Sequence, residues 1–454
     1  WWCCALISVV NCNHRPYLQE QTMQIFKPAC LSQKVKFRKP IDQRKSLHHE
    51  LQMKEQFEGS FTQQEAIPED AIDAAVEVMR SGRLHRYNVA DGQVGDVARL
   101  EQEFAALLGA NYCLSVASGG YALATALRAL GVEPGHKVLT NAFTLAPVPG
   151  SIAAVGAVPL FVGVTEGLVI DLEDLAEKAD QADVLMLSHM RGHICDMDAL
   201  MQICDQNDIK VIEDCAHTMG AKWRNTWSGR YGAIGCYSTQ TYKHINSGEG
   251  GFLVTDDAQV IARAIVLSGS YMLYDRHLAG PDPSEFKKIF YETPNISGRM
   301  DHLRASILRP QLRSLNAQCE AWNVRYRIVE DGLQDTPGLR LIERPPEEAY
   351  VGSSIQVLLL DWSQQAVRDV IAGCAGRGVE LKWFGSKEPV GFTSRYDSWI
   401  YAPSSAMPKS DRILAGLLDM RIPLTFSLED CALIARIIRM EVNGVYQSMP
   451  ALAQ

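Results

Sequence analysis

The sequence predicts an α/β fold: a mainly parallel sheet with helices on both faces, followed by a smaller α/β unit. Three observations carry this. From residue 111 onward, short apolar runs alternate with helical stretches. Each run is continuously apolar, as a strand buried on both faces must be, and strands separated by helices pair in parallel. After residue 300 the texture changes to one long helical segment and a second, shorter set of strand and helix patterns.

The first 58 residues lack such patterning and do not begin with methionine, so residues 1–58 are read as a poorly ordered, targeting or upstream extension. Regular structure begins near Pro68, which suits a first helical turn. Ile72, Ala75, Val76 and Met79 then follow at amphipathic-helix spacing. A second helix reads through Leu100, Phe104, Leu107 and Leu108 and stops at Gly109. Strands follow at 112–117, 137–140, 157–164, 184–188 and 209–214, and "FLVT" closes the series at 252–255. Between them "SGGYALATALRAL" and "MDALMQICDQND" are helical. "LRASILRPQLRSL" is a helix that Pro310 should kink. "SSIQVLLL" is a strand, "QQAVRDVIAGCAGRG" a helix, and "SLEDCALIARIIRM" opens with a capping-box pattern at Ser427 and Asp430. The expected division is a large domain over 59–310 and a small one over 311–454.

With 454 residues, 47% apolar and 21% charged, the chain is that of a soluble globular protein of more than one domain. A net charge of −9 argues against a nucleic-acid partner. The twelve cysteines include no C-x-x-C pair, which fits reduced thiols and a cytoplasmic location. No apolar run approaches the roughly 18–20 residues of a membrane span.

Three segments carry candidate chemistry, each where a strand ends; ligands of open α/β sheets bind beyond those ends. In "SVASGGYALATAL", Ser118, Gly119 and Gly120 sit between strand and helix, and a helix N-terminus suits a phosphate. Alone, this turn reads first as a connection with no ligand. In "IKVIEDCAHTMG", Glu213 and Asp214 leave an apolar strand with His217 just beyond. Buried carboxylates need partners, and an ordinary helix cap would serve as well. In "YSTQTYKHINSGEGGFLVTDD", Lys243 lies between the hydroxyls of Ser238, Thr239 and Thr241 and the glycines 248, 250 and 251. Most lysines are solvated, but one held near apolar surroundings becomes a usable amine nucleophile. Together the three segments supply what pyridoxal phosphate chemistry needs. They offer a phosphate turn, a carboxylate for the pyridine nitrogen and a lysine to form the Schiff base.

From about residue 60 to the C-terminus the chain resembles the DegT/DnrJ-type sugar aminotransferases, a group of the fold-type I pyridoxal phosphate enzymes. The resemblance is strongest through "VIEDCAHTMGAKWRNTWSGRYGAIGCYSTQTYKHINSGEGGFLVTDD". It implies catalytic roles for Lys243, as Schiff-base lysine and proton carrier, and for Asp214, as partner of the ring nitrogen. It further implies phosphate contacts from Ser238 and the Ser118–Gly119–Gly120 turn, and His217 against the cofactor. It implies no metal. Three positions depart from the family's pattern. Gly120 stands where the phosphate turn has threonine, Leu145 in "NAFTLAP" where an aromatic stacks on the ring, and Ser297 where an asparagine reaches a partner subunit. The resemblance also implies a homodimer, glutamate or glutamine as amino donor, and a keto-sugar (nucleotide-linked or free) or keto-cyclitol as acceptor, in a ping-pong cycle through pyridoxamine phosphate. A dehydratase and a catalytically weakened cofactor-binding relative are the alternatives. Trp383, Phe384 and Tyr401 are candidates for a sugar pocket wall, with core packing as their first reading.

Overall fold

The computed structural model describes residues 55–449, Phe392 excepted. Most of the expected extension, residues 1–54, lies outside the described residues. Its last part belongs to a core, since Phe57 is buried against Phe61 and Phe426 and donates its N–H to the Arg377 carbonyl.

Helix α1 (Glu69–Ser81) begins after Pro68 and stops at Gly82, whose φ of 67° is left-handed. Its inward face is not the expected row. Ala71, Ala75 and Val78 are buried, whereas Ile72 and Met79 are 39% and 54% exposed. The helix lies along the long helix at His302–Leu333, and two alanines let the two axes come close.

The large sheet holds β1 (Tyr112–Val116), β2 (Lys137–Asn141), β3 (Val158–Val162), β4 (Val184–Ser188), β5 (Lys210–Asp214), β6 (Ile234–Ser238) and β7 (Gly251–Thr255). Their order is β1-β7-β6-β5-β4-β2-β3. Only β7 runs against its neighbours; β6, β5, β4, β2 and β3 pair in parallel. The sheet is thus mainly parallel, as expected, with one reversed strand.

Helices cover both faces. On one, α2 (Asp96–Leu108) and α6 (Met197–Gln206) bury Leu100, Phe104, Leu200 and Cys204, α6 being numbered after α3 (Gly119–Ala129), α4 (Pro147–Ala154) and α5 (Leu172–Lys178). On the other, α3, α4 and α7 (Ala258–Ser268) bury Leu123, Ile152, Ile261 and Ile265. Burial of this apolar area, at about 25 cal/mol per Å², is the main term favouring the fold.

Helix α8 (His302–Leu333) runs without a break through Pro310. The helix accommodates one missing N–H because packing on both sides holds it. Beyond it, β8 (Arg340–Leu341), β9 (Ser354–Leu358), β10 (Lys382–Trp383) and β11 (Leu417–Arg421) form an antiparallel sheet in the order β8-β9-β11-β10. Helices α9 (Gln364–Gly376) and α10 (Leu428–Ser448) pack with it around Val357, Val370, Ile434 and Ile438. The capping box at Ser427 and Asp430 forms, with both reciprocal bonds present.

Candidate active site

Strand register decides which strand ends become neighbours. Val116, Gly251 and Ser238 pair across β1, β7 and β6, while Ser188, Asp214 and Cys236 pair across β4, β5 and β6. The first row sets the Ser118–Gly119 turn beside Ser238. The second sets Asp214 next to the strand that leads into Lys243.

Ser118 caps α3 by accepting the Tyr121 N–H at 3.1 Å, and the leading N–H groups of the helix have no intrahelical partners. A side chain at Gly119 would put its Cβ 2.8 Å from Ser238 Cβ, and one at Gly251 would stand 2.8 Å from the Gly119 nitrogen. Both glycines are therefore required by close approach. Gly120 is different: its nearest neighbour would be Pro147 Cβ at 3.9 Å, so the position is open.

The lysine loop is tied down by its own residues. Thr239 Oγ1 meets Ser247 Oγ at 3.0 Å, and Thr241 bonds Gly248, so these two hydroxyls brace the loop and do not face the site. Gly251 packs against the Ser118–Gly119 turn, and Gly248 meets open space at a φ of 80°.

Half-buried Lys243 places Nζ 2.9 Å from Nε2 of His217, and Leu145 lines the same pocket. Desolvation, then the positive charges of Arg191 and Arg421, lowers the Lys243 pKa to about 7, against the opposing pull of Asp214. Burial and the same cations hold His217 well below the usual histidine range. Asp214 accepts from Ser188 Oγ and from the Ala216 N–H, each at 3.1 Å, and burial raises its pKa despite them. Thr144 in turn donates to Ser188 Oγ at 2.8 Å, so a relay of hydroxyls orients the carboxylate.

Glu213, the other carboxylate leaving that strand, does not line the pocket. It is fully buried beneath Asp214 and accepts from the N–H groups of Gly229, Tyr231 and Gly232 and from His189 Nε2. Burial pushes its pKa up, but these bonds and His189 more than offset that and hold it low. His189, Glu213 and Cys215 have ligand atoms within 4.8 Å of one another, yet the acceptor capacity of Glu213 is already taken up.

Several pocket residues went unread in the sequence. Arg191, Lys382 and Arg421 line the pocket with Lys243. Arg191 follows the end of β4, so the strand-end rule that singled out Asp214 would have reached it; Lys382 and Arg421 come from the second sheet and have no local signal. Of the aromatic candidates, Phe384 is core, Trp383 donates Nε1–H to the Ala415 carbonyl, and Tyr401 is 46% exposed; none lines this pocket. Ser297 is exposed at the surface.

The described residues contain no helix long and apolar enough to cross a membrane, and their eight cysteines are all free and buried.

Comparison with known proteins adds an independent line. The chain is 30% identical over 289 residues to an L-glutamine:2-deoxy-scyllo-inosose aminotransferase of Streptomyces lividus, covering 63% of this chain and 66% of that one. It is 32% identical over 240 residues to the 3-amino-5-hydroxybenzoate synthase of Amycolatopsis mediterranei, covering 52% and 60%. The chain spans less than two thirds of the length of these relatives. In fold it is similar to a crystal structure of 3-amino-5-hydroxybenzoic acid synthase, with a TM-score of 0.72 at 23% identity over 84% of this chain and 99% of that one. Residues 65–439 match the model of one family along most of the described chain, and on that match the chain belongs to the DegT/DnrJ/EryC1/StrS aminotransferase family.

Proposed function

We propose that this chain is a pyridoxal-phosphate-dependent aminotransferase that moves an amino group from glutamate or glutamine to a keto-sugar or keto-cyclitol. The observation that carries the reading is a lysine whose pKa is lowered to about 7, facing His217, with the Asp214 carboxylate acting on it from the neighbouring strand. The activities of the relatives, transfer from L-glutamine to an inosose among them, support the donor and the acceptor class.

The residues present fit the cofactor. Ser238 and the N–H groups opening α3 offer a phosphate cradle that a Cβ at Gly119 would fill. Asp214 keeps a carboxylate for a protonated ring nitrogen, and Leu145 and His217 offer apolar and imidazole walls. When bound, pyridoxal phosphate supplies an electron sink for the carbon that loses its proton. Lys243 takes that proton with its neutral amine and returns it, which a lysine at its ordinary pKa could not do near pH 7. His217, neutral, receives or donates a hydrogen bond at Nζ and holds the amine in place without adding a competing positive charge. The Ser188–Thr144 relay keeps Asp214 from rotating, and Glu213 beneath it fixes the end of the strand.

The same reading keeps the homodimer, the cytoplasmic location and the division into 59–310 and 311–454 as proposals, with α8 carrying the chain from one unit to the other. The test is direct. Purified protein loaded with pyridoxal phosphate should show a visible absorbance band that glutamine or glutamate bleaches and a keto-sugar restores. A protein that binds the cofactor with Lys243→Ala as well as wild type, at equal turnover, overturns it.

A further inference from the structure

His244 follows Lys243 directly in the chain and is 3% exposed. Its ring packs edge-on against Trp322, the centroids 5.2 Å apart, and Trp322 is itself fixed by donating Nε1–H to the Ile422 carbonyl at 3.0 Å. The ring so held sets Nε2 3.2 Å from Ser353 Oγ, while Nδ1 is buried without a hydrogen bond among the described residues. Ser353 stands just before β9 and lines the Lys243 pocket. Its backbone is pinned on both sides: its N–H donates to the Val351 carbonyl and its carbonyl accepts the Ile422 N–H, each at 3.0 Å.

The chemistry of a neutral imidazole decides the direction of the His244–Ser353 bond. Burial, then the charge of Lys243, pushes the His244 pKa down to about 3, so the ring carries one N–H and one lone pair. A proton on Nδ1 would be a buried donor with no acceptor, the rarer of the two kinds of orphan in folded proteins. A proton on Nε2 finds Ser353 Oγ and leaves only a bare acceptor at Nδ1. Ser353 Oγ then accepts from the ring, and its own O–H must point elsewhere. No other hydrogen bond reaches that hydroxyl among the described residues, and its residue is half-buried on the pocket wall.

We propose that Ser353 is a specificity-determining residue whose hydroxyl, turned by the positioning residue His244, donates to an oxygen that the keto acceptor carries beside its carbonyl carbon. The inference rests on the amino-transfer reading of Lys243 and deepens it. Ser353 is bonded to the side chain of the residue next to Lys243 and lines the same pocket. A substrate oxygen that reaches it therefore sits close to the reacting carbon. An acceptor with a hydroxyl there gains a hydrogen bond, and one with a methylene leaves the serine O–H buried and unpaired, which is the costlier arrangement.

Two measurements test this. In cofactor-loaded protein with isotope-labelled histidine, nitrogen NMR should show His244 protonated at Nε2 and bare at Nδ1. Its signal is assigned by loss in His244→Phe, or in His244→Gln where the first variant does not fold. A His244 protonated at Nδ1 overturns the proposal.

The second measurement uses wild type, Ser353→Ala, Ser353→Thr and His244→Phe, each first converted by the amino donor. The acceptors are scyllo-inosose and its 2-deoxy analogue, which lacks a hydroxyl beside the carbonyl. Wild type should favour scyllo-inosose by kcat/KM. Ser353→Ala should shrink that preference about tenfold, and Ser353→Thr, which keeps a hydroxyl, should recover part of it. His244→Phe keeps a ring against Trp322 but lets the hydroxyl rotate, and should shrink the preference about threefold. A merely structural role would lower turnover on both ketones alike and leave their ratio in place. A wild type that uses the two equally, prefers the analogue or takes neither overturns the proposal, as does a Ser353→Ala loss that is the same on both. Failure of the amino-transfer reading shows separately, as a wild-type band that no donor bleaches, and the His244 proton is read without turnover.

Discussion

Lys243 Nζ lies 2.9 Å from His217 Nε2, across a pocket wall in which neither group is held as a full charge. Desolvation and neighbouring positive charge lower both pKa values, the lysine to about 7 beside Arg191 and Arg421, the histidine beside Lys243 and then Arg191. The amine is thus half neutral near pH 7, where an ordinary lysine with a pKa of 10.5 is almost wholly protonated.

The pH dependence follows with its sign. Above about pH 7 the Lys243 amine is free, and below it protonated and unreactive. In cofactor-free protein, trapping of Lys243 by an aldehyde and borohydride, read by mass spectrometry, should rise with a midpoint near 7. Arg191→Gln should move that midpoint upward, because Arg191 is one of the groups lowering it. A midpoint near 10 in wild type would contradict the account of the pocket.

Asp214→Asn should keep the Ala216 N–H contact while removing the charge. Turnover is expected to fall on the order of 10²–10⁴-fold with the fold intact by circular dichroism. Ser188→Ala, which removes one donor at 3.1 Å, should cost only about tenfold. Similar losses in the two variants would mean that orientation, not charge, is what Asp214 contributes.

The two turn glycines should behave differently. Gly119→Ala forces a Cβ to 2.8 Å from Ser238 Cβ, and the Kd for pyridoxal phosphate should rise about tenfold or more. Gly120→Thr enters open space, its nearest neighbour 3.9 Å away, and should leave the affinity unchanged or tighter. Fluorescence titration of the cofactor-free variants reads both.

Glu213→Gln tests the layer beneath the site. Its amide would confront three backbone N–H donors that now point at a carboxylate. A loss of about 3 kcal/mol in denaturant unfolding is expected. The carboxyl pKa is held below its ordinary 4.5, so its stabilisation is present above that pH and lost as pH falls further. Wild type and variant should therefore converge in acid.

Much of this was legible before any coordinates. The continuous apolar runs at 184–188 and 209–214 became parallel neighbours, and Ser118 and Asp214 stand at strand ends as expected, whereas the strand Ile234–Ser238 that leads to Lys243 is absent from the sequence reading. The inward face of α1 was misread because alanines, weak in any hydrophobic pattern, are what a close helix contact selects. The full length of α8, His302–Leu333, lay beyond the local pattern because packing on both sides carries the helix through Pro310.

The sequence by itself singled out Lys243, Asp214 and the Ser118–Gly119 turn, since each lies within a few residues of a strand end and strand ends are a local property. Tertiary structure alone decided what surrounds them. Arg421 and Lys382 stand about 140–180 residues from Lys243 along the chain. They reach its pocket only because the second sheet packs beside the first, and no local pattern encodes that meeting. The burial and, after it, the charge that lower the lysine pKa are set by what surrounds the amine in space.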